Sequence, residues 1–218
     1  MQFINEYFEV DQVSAPQMDW LWSNGWRHFG TYFFRYSRVS EPHRINTVLP
    51  LRVALSQFKL SRSQQRVLKK NADLRVVVRE AFIDHAKEAL FHRHKTRFER
   101  NVPNSIYDFF SPQPAHIPCQ TKEFCLYLDQ EFVGVSFLDL GLNATSSVYS
   151  IYEPQYASRS LGILLILLAI QYSLKNNKLY YYPGYAFQEP SVYDYKKRLS
   201  GLEYFDWRDQ WLSFTSMQ

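Results

Sequence analysis

The sequence predicts an α+β protein: a central, mostly antiparallel sheet flanked by helices, with a small α+β subdomain in front of it. Three observations carry this. Strand-like segments follow one another between residues 123 and 152 with short breaks between them. A nearly all-apolar segment, residues 158–175, comes next and leads into another strand-like run at 178–182. The chain also changes character near Ser61, from aromatic, short-period sequence to helical and strand patterns in turn. Residues 1–70 are therefore read as the N-terminal subdomain and residues 71–218 as the main domain.

Residues 26–36, with Tyr32, Phe33 and Phe34 adjacent, read as strand bent at Gly30. Pro42 and Pro50 punctuate the next stretch, and 51–55 reads as a second strand. Ser61 or Ser63 caps a helix that contains Val67 and Leu68 and is surrounded by Arg62, Arg66, Lys69 and Lys70. Asn71-Ala72-Asp73 ends it, and the β-branched run 74–78 is a strand. Residues 82–98 form a helix whose apolar stripe is Phe82, Ala86, Ala89, Leu90 and Phe98. Four prolines (103, 112, 114 and 118) make 102–119 a connection. Residues 123–128 and 132–140 form a hairpin across Asp129-Gln130, and 146–152 is the next strand, stopped by Pro154. The helix at 158–175 is apolar on every side and so is buried. The strand at 178–182 then gives way to a tyrosine-rich loop and a basic segment, 195–198.

Composition narrows the function classes. Hydrophobic residues are 46% of 218 and aromatics 17%, enough for a core and against disorder. With 7 glycines in all, a glycine-rich nucleotide loop is disfavoured. Two cysteines, Cys119 and Cys125, fit a reduced, cytoplasmic protein better than a disulfide scaffold. The acidic N-terminus lacks an apolar signal core, and the longest apolar run, 161–170, is too short for a bilayer, so no membrane partner is expected. The net charge is +4, but residues 61–100 hold 11 Lys/Arg against 5 Asp/Glu, while the remainder holds 14 against 16. A basic block in a slightly acidic protein points to a polyanionic partner, the alternative being a solvated helix face.

The order of elements in the C-terminal half, three strands, a helix and a strand, resembles a GNAT-type acyltransferase: a meander, a helix against it, then a strand that splays away. There the helix start, here Arg159-Ser160-Leu161-Gly162, offers free backbone N–H groups to an anion. It lacks the glycine-rich loop expected for acetyl-CoA, which favours another acyl donor.

Three segments resemble the arginyl- and leucyl-tRNA–protein transferases, the bacterial aspartate/glutamate leucyltransferases among them. They are S-R-S-Q-Q-R-V-L-K-K-N-A-D-L at 61–74, S-S-V-Y-S-I-Y-E-P at 146–154 with S-L-G at 160–162, and Y-Y-x-G-Y at 181–185 followed by Tyr195-Lys196. Lesser matches are G-W-R-H-F-G at 25–30, P-x-R-V at 50–53 and G-V-S-F-L-D at 134–139. The resemblance spans nearly the whole chain. It implies transfer of an amino acid of the Arg or Leu class from aminoacyl-tRNA to an amine of a protein or peptide acceptor. Aminoacyl-tRNA is then a co-substrate, with no cofactor, metal or DNA partner. The family's cysteines before P-x-R are missing, as no cysteine precedes Cys119. Pro183, and Tyr193 in place of a usual Met, alter the expected pocket, which suits a specialised peptide-modifying variant.

Such chemistry needs two substrates held in line and an oxyanion stabilised, with cations for phosphates and aromatics for stacking on the tRNA end. Arg62, Arg66, Lys69 and Lys70 are the phosphate candidates; Arg52, like Lys196, is placed to neutralise an acceptor carboxylate or contact the 3′ end, and Ser146, Ser160, Gly162, Tyr182 and Gly184 complete the tRNA and aminoacyl site. Tyr152, Glu153, Tyr185 and Lys196 are the catalytic candidates; Glu153 is a base, an amine anchor or a strand-end cap. His92-x-His94 is the one close histidine pair and is read as non-metal. A CoA-dependent N-acyltransferase, or a degenerate homologue that binds tRNA or a degron without transfer, are the alternatives.

Overall fold

A computed structural model of the chain describes residues 3–41, 44–99 and 101–217. The turn expected at Pro42 lies outside the described residues. In chain order the elements are β1 (Asn5–Glu9), α1 (Ala15–Ser23), β2 (Arg27–Phe29), β3 (Tyr32–Tyr36), β4 (Arg38–Glu41), β5 (Arg44–Ala54), α2 (Arg62–Lys70), β6 (Arg75–Glu80), α3 (His85–Lys95), β7 (Thr121–Leu128), β8 (Glu131–Leu140), β9 (Ala144–Tyr152), α4 (Leu161–Lys175), β10 (Tyr180–Phe187), β11 (Leu202–Phe205) and β12 (Trp211–Ser213). Short 3₁₀ turns fill several connections, among them Pro154–Arg159 and Lys196–Arg198.

A nine-stranded sheet runs β12-β11-β5-β10-β9-β8-β7-β6, with β4 also on β5, and a three-stranded sheet runs β1-β3-β2. Every pairing is antiparallel except β9 with β10. This is the α+β, GNAT-like architecture expected: the β7–β8–β9 meander, α4 across it, then β10 parallel to β9. Side-chain alternation along β7 separates two cores. Phe124 and Leu126 join α4 and α2, and Cys125 joins Leu90 and Phe91 of α3 on the opposite face. A third core, around Met18, Trp22, Trp26 and Phe33, seats α1 and the small sheet.

Several elements depart from the expected ones. Pro50 does not punctuate; it lies inside β5, just before the β5–β11 ladder begins at Leu51. The tyrosine-rich stretch after Tyr182 is strand, not loop, because β10 runs on to Phe187 through a bulge between Tyr181 and Gly184 and pairs there with β5. The stripe assigned to α3 is also displaced. Asp84 caps the helix by accepting from the Lys87 N–H, so the buried face is Lys87, Leu90, Phe91 and His94, and Ala86 and Ala89 are exposed. The long helix begins at Leu161, three residues late, after the 3₁₀ turn. α1 has no counterpart in the aromatic reading of 1–60. Its signature is Ser14 with Gln17, a capping box, with Pro16 in the first turn. β5, from the 1–70 segment, sits in the middle of the large sheet.

Candidate active site

The cleft arises where β9 and β10 part. Their parallel pairing holds only Tyr180–Tyr182 against Ala144–Ser146; beyond that β10 turns to β5, and β9 continues along β8. Into the opening β2 delivers Arg27, which donates from Nη1 to Ser146 Oγ and from Nη2 to the Ser147 carbonyl. Ser147 Oγ in turn bonds the Tyr181 hydroxyl at 2.7 Å. β2 is anchored by the next residue. His28 is buried, with Nδ1 2.9 Å from the Gly30 carbonyl and Nε2 2.8 Å from Asp139 Oδ2 on β8, and Thr121 donates to the other oxygen of Asp139 at 2.7 Å.

Lys196 reaches the same place from the turn after β10, donating to the Tyr185 carbonyl at 2.9 Å. Gly184 makes the meeting possible. Its φ is +91°, a conformation costly for residues with a Cβ, and a Cβ there would lie 3.4 Å from Lys196 Nζ and 3.7 Å from Arg27 Nη2. Burial, with Arg27 adding to it, pulls Lys196 down to about 7. Rings line the opening: Phe34 and Tyr36 lie edge-on to Tyr185, Phe109 stacks on Tyr149 at 3.8 Å, and Tyr193 sits 5.1 Å from Lys196 Nζ.

A second cluster surrounds the start of α4. Ser160 takes the left-handed conformation (φ +57°) and ends the 3₁₀ turn, so the first N–H groups of α4 lack intrahelical partners. Tyr152 covers this end: a Cβ on Gly162 would sit 3.3 Å from its Cε1. The same ring meets His94 edge-on at 4.7 Å and the Arg97 guanidinium at 4.5 Å. His94 is also tied to the backbone of Tyr152, at 2.9 Å to its carbonyl, and desolvation lowers it to about 4. The Ser160 segment is bound to α2 as well. Lys70 donates to the Ser158 carbonyl at 2.7 Å, Asn71 to the Arg159 carbonyl at 2.9 Å, and Arg159 forks onto Asp73 at 2.9 and 2.7 Å. Arg62, Arg66, Lys69 and Lys70 are all exposed on this helix.

The structure thus joins Ser146, Gly184 and Lys196 at one centre, and Tyr152, Ser160 and Gly162 at another. Tyr185 contributes its carbonyl to the first. Its hydroxyl is committed to the Gly25 carbonyl at 2.6 Å, and burial raises it well above the usual tyrosine value. Three candidates stand apart. Arg52 pairs with Glu203 at 2.6 Å and is sandwiched between the rings of Tyr180 and Trp211, 4.0 and 4.3 Å from their centroids. Tyr182 is buried between Trp22 and Trp211. Glu153 is held by Arg93 of α3 at 2.6 Å, on the rim of an open cleft with Thr96, Glu131 and Gln155. The residue that sequence reasoning passed over is Arg27. Its signal was the Trp26-Arg27-His28 run between Gly25 and Gly30, in which no single residue was picked out.

This arrangement can be compared with known proteins. The model of "Arginine-tRNA-protein transferase, C terminus" matches residues 80–206, more than half of the chain. The chain belongs to this family. It is an aminoacyltransferase. Among its relatives is the aspartate/glutamate leucyltransferase of Helicobacter hepaticus, 28% identical over 210 residues that cover 93% of this chain and 84% of the relative. That of Saccharophagus degradans is 29% identical over 223 residues, covering 97% and 88%. In fold the transferase is similar to FemX (TM-score 0.52, 9% identity, 86% of this chain and 65% of that one). It is also similar to L-PGS from Bacillus licheniformis (TM-score 0.52, 12% identity, 97% and 70%).

Proposed function

We propose that the transferase moves an amino acid of the Leu or Arg class from its tRNA to the N-terminal amine of a protein or peptide that begins with Asp or Glu. It acts in the cytoplasm, with aminoacyl-tRNA as co-substrate and no cofactor. One observation supports this above the rest. The end of the exposed basic helix α2 and the residues just after it, Lys70, Asn71 and Asp73, are tied to the 3₁₀ turn that leads into α4. A tRNA arm lying on Arg62, Arg66, Lys69 and Lys70 would bring its 3′ end to that cleft.

There the acceptor amine attacks the ester carbonyl. The C–N bond forms, the bond to the ribose oxygen breaks, and the proton lost by the amine ends on that oxygen. The first N–H groups of α4 are aimed to stabilise the intermediate oxyanion, with the Tyr152 hydroxyl beside them. The three outlying candidates support the frame rather than the reaction. Arg52 pins β5 to β11, Tyr182 fills the core under α1, and Glu153 ties β9 to α3.

The experiment is incubation with a panel of charged tRNAs and peptides of differing first residue, read by mass spectrometry. Mass addition of one amino acid, abolished by RNase pretreatment, is expected. Product that survives RNase, or acetyl transfer from acetyl-CoA without RNA, would sink the reading.

A further inference from the structure

Three side chains of different ligand chemistry meet behind β2. His28 comes from β2, Cys119 from the connection just before β7, and Asp139 from β8; they are about 4%, 4% and 1% exposed. One ligand atom from each, an imidazole nitrogen, a sulfur and a carboxylate oxygen, lies within 4.8 Å of the other two. Side chains alternate along a strand, so His28 points away from its neighbour Arg27 and from the cleft that Arg27 enters. Cys119 belongs instead to the core of Met18, Trp26 and Phe33, and the His28 ring stacks on Phe33.

Each ligand is already aimed. His28 Nδ1 faces the Gly30 carbonyl at 2.9 Å, and a proton donated there leaves Nε2 as the coordinating nitrogen. Thr121 donates to Oδ1 of Asp139 at 2.7 Å, which leaves Oδ2 to face Nε2 at 2.8 Å. The set suits one class of ion. Nitrogen, thiolate and a single carboxylate oxygen are ligands of zinc, whereas magnesium and calcium take oxygen ligands in larger number. One thiolate and one carboxylate offset the two charges of the ion, so the buried site stays neutral. Around a tetrahedral zinc, with bonds of about 2.0–2.3 Å, neighbouring donor atoms stand about 3.3–3.6 Å apart. The three atoms here span separations from 2.8 Å to no more than 4.8 Å, which brackets that spacing, so small side-chain torsions close the shell.

We propose that His28, Cys119 and Asp139 bind a divalent zinc ion as a structural site, with water as its fourth ligand. The ion ties β2, β8 and the entry to β7 together behind Arg27 and takes no part in transfer. Without it, the hydrogen bond between His28 and Asp139 joins two of the three segments; the ion joins all three. The close histidine pair of α3 is not involved, since His94 is bound to the backbone of Tyr152.

The test uses the full chain without an affinity tag, stripped by a chelator and reloaded with zinc or with cobalt(II) as the probe. One equivalent of metal per chain should survive gel filtration, counted by plasma mass spectrometry. Cobalt(II) should give thiolate-to-metal charge transfer in the near ultraviolet and the visible bands of a four-coordinate ion. At a hundredfold excess over Kd, zinc should raise Tm by about 5–10 °C. Cys119→Ser, which keeps the size of the side chain, should lose the charge-transfer band and most of the retained metal and Tm rise. Cys125→Ser removes the other thiol, which lies in the α3 core, and should change none of these. A wild-type chain that keeps no metal through gel filtration would overturn the proposal whatever the variants do. So would a cobalt spectrum without charge transfer, or one that Cys119→Ser retains or Cys125→Ser abolishes. None of these measurements uses tRNA or peptide, so their failure would leave the transfer reading untouched.

Discussion

Replacing Asp139 by Ala tests whether the His28–Asp139 pair holds β2, and with it Arg27, in place. The side chain is about 1% exposed and accepts from two groups, His28 Nε2 at 2.8 Å and Thr121 Oγ1 at 2.7 Å. His28 is itself about 4% exposed, so water does not replace the lost acceptor there. Two orphaned buried polar groups cost about 1–3 kcal/mol each, which agrees with about 3–5 kcal/mol for removing one member of a buried pair. Thr121 has a fallback in the Cys119 carbonyl at 3.4 Å, which trims the total toward the lower end. For a chain of this size about 3–5 kcal/mol corresponds to a fall in Tm of about 6–20 °C. The assay is thermal unfolding followed by circular dichroism, with urea unfolding alongside. Asp139→Asn, which keeps an oxygen and an amide in the same places, should lose less than half as much. A fall below about 3 °C for Asp139→Ala would refute the reasoning, since the pair would then carry no weight in seating the small sheet.

Other outcomes follow from the same geometry. Gly162→Ala gains up to about 1 kcal/mol of helix preference but sets a Cβ 3.3 Å from Cε1 of Tyr152, whose ring also meets His94 and Arg97. Stability by urea unfolding should therefore match wild type while single-turnover transfer falls about tenfold or more; unchanged transfer would remove Tyr152 from the reaction. Each charge removed from α2, as in Arg62→Gln or Lys69→Gln, should lower the slope of log affinity for tRNA against log salt by about one, measured by filter binding, with no change in peptide affinity. Both cysteines are buried, and burial raises their thiols, Cys125 to about 12. At pH 8 an aromatic disulfide reagent should label neither until urea unfolds the chain; rapid native labelling would show that the cores open.

The large features were legible because their signals are local. The meander, the apolar helix and the Ser61 cap each follow from a few adjacent residues, and the hairpin turn is where Asp129 adopts a positive φ. What failed depended on partners far along the chain. Pro50 read as a break because proline lacks an N–H, and Pro183 as a change to the expected pocket. The structure absorbs them where the ladders leave no place for one, Pro50 before the β11 pairing and Pro183 within the bulge of β10. Where Arg52 and Tyr182 sit depended on residues far along the chain: Glu203 and Trp211 hold the one, and Trp22 and Trp211 flank the other. Arg27 was missed for the converse reason: its partners lie 119 and 120 residues away on β9.

The departures from the family pattern gain meaning from the same place. Pro183 lies where the β5–β10 register skips, and the skip turns Tyr185 toward Phe34 and Tyr36 while leaving Gly184 to face the two cations. The change at Pro183 is thus compatible with the strand. Tyr193 is 40% exposed, edge-on to Phe187 at 5.6 Å and 5.1 Å from Lys196 Nζ. The cations of α2 are exposed, whereas Arg27 and Lys196 are half-buried beside Gly184.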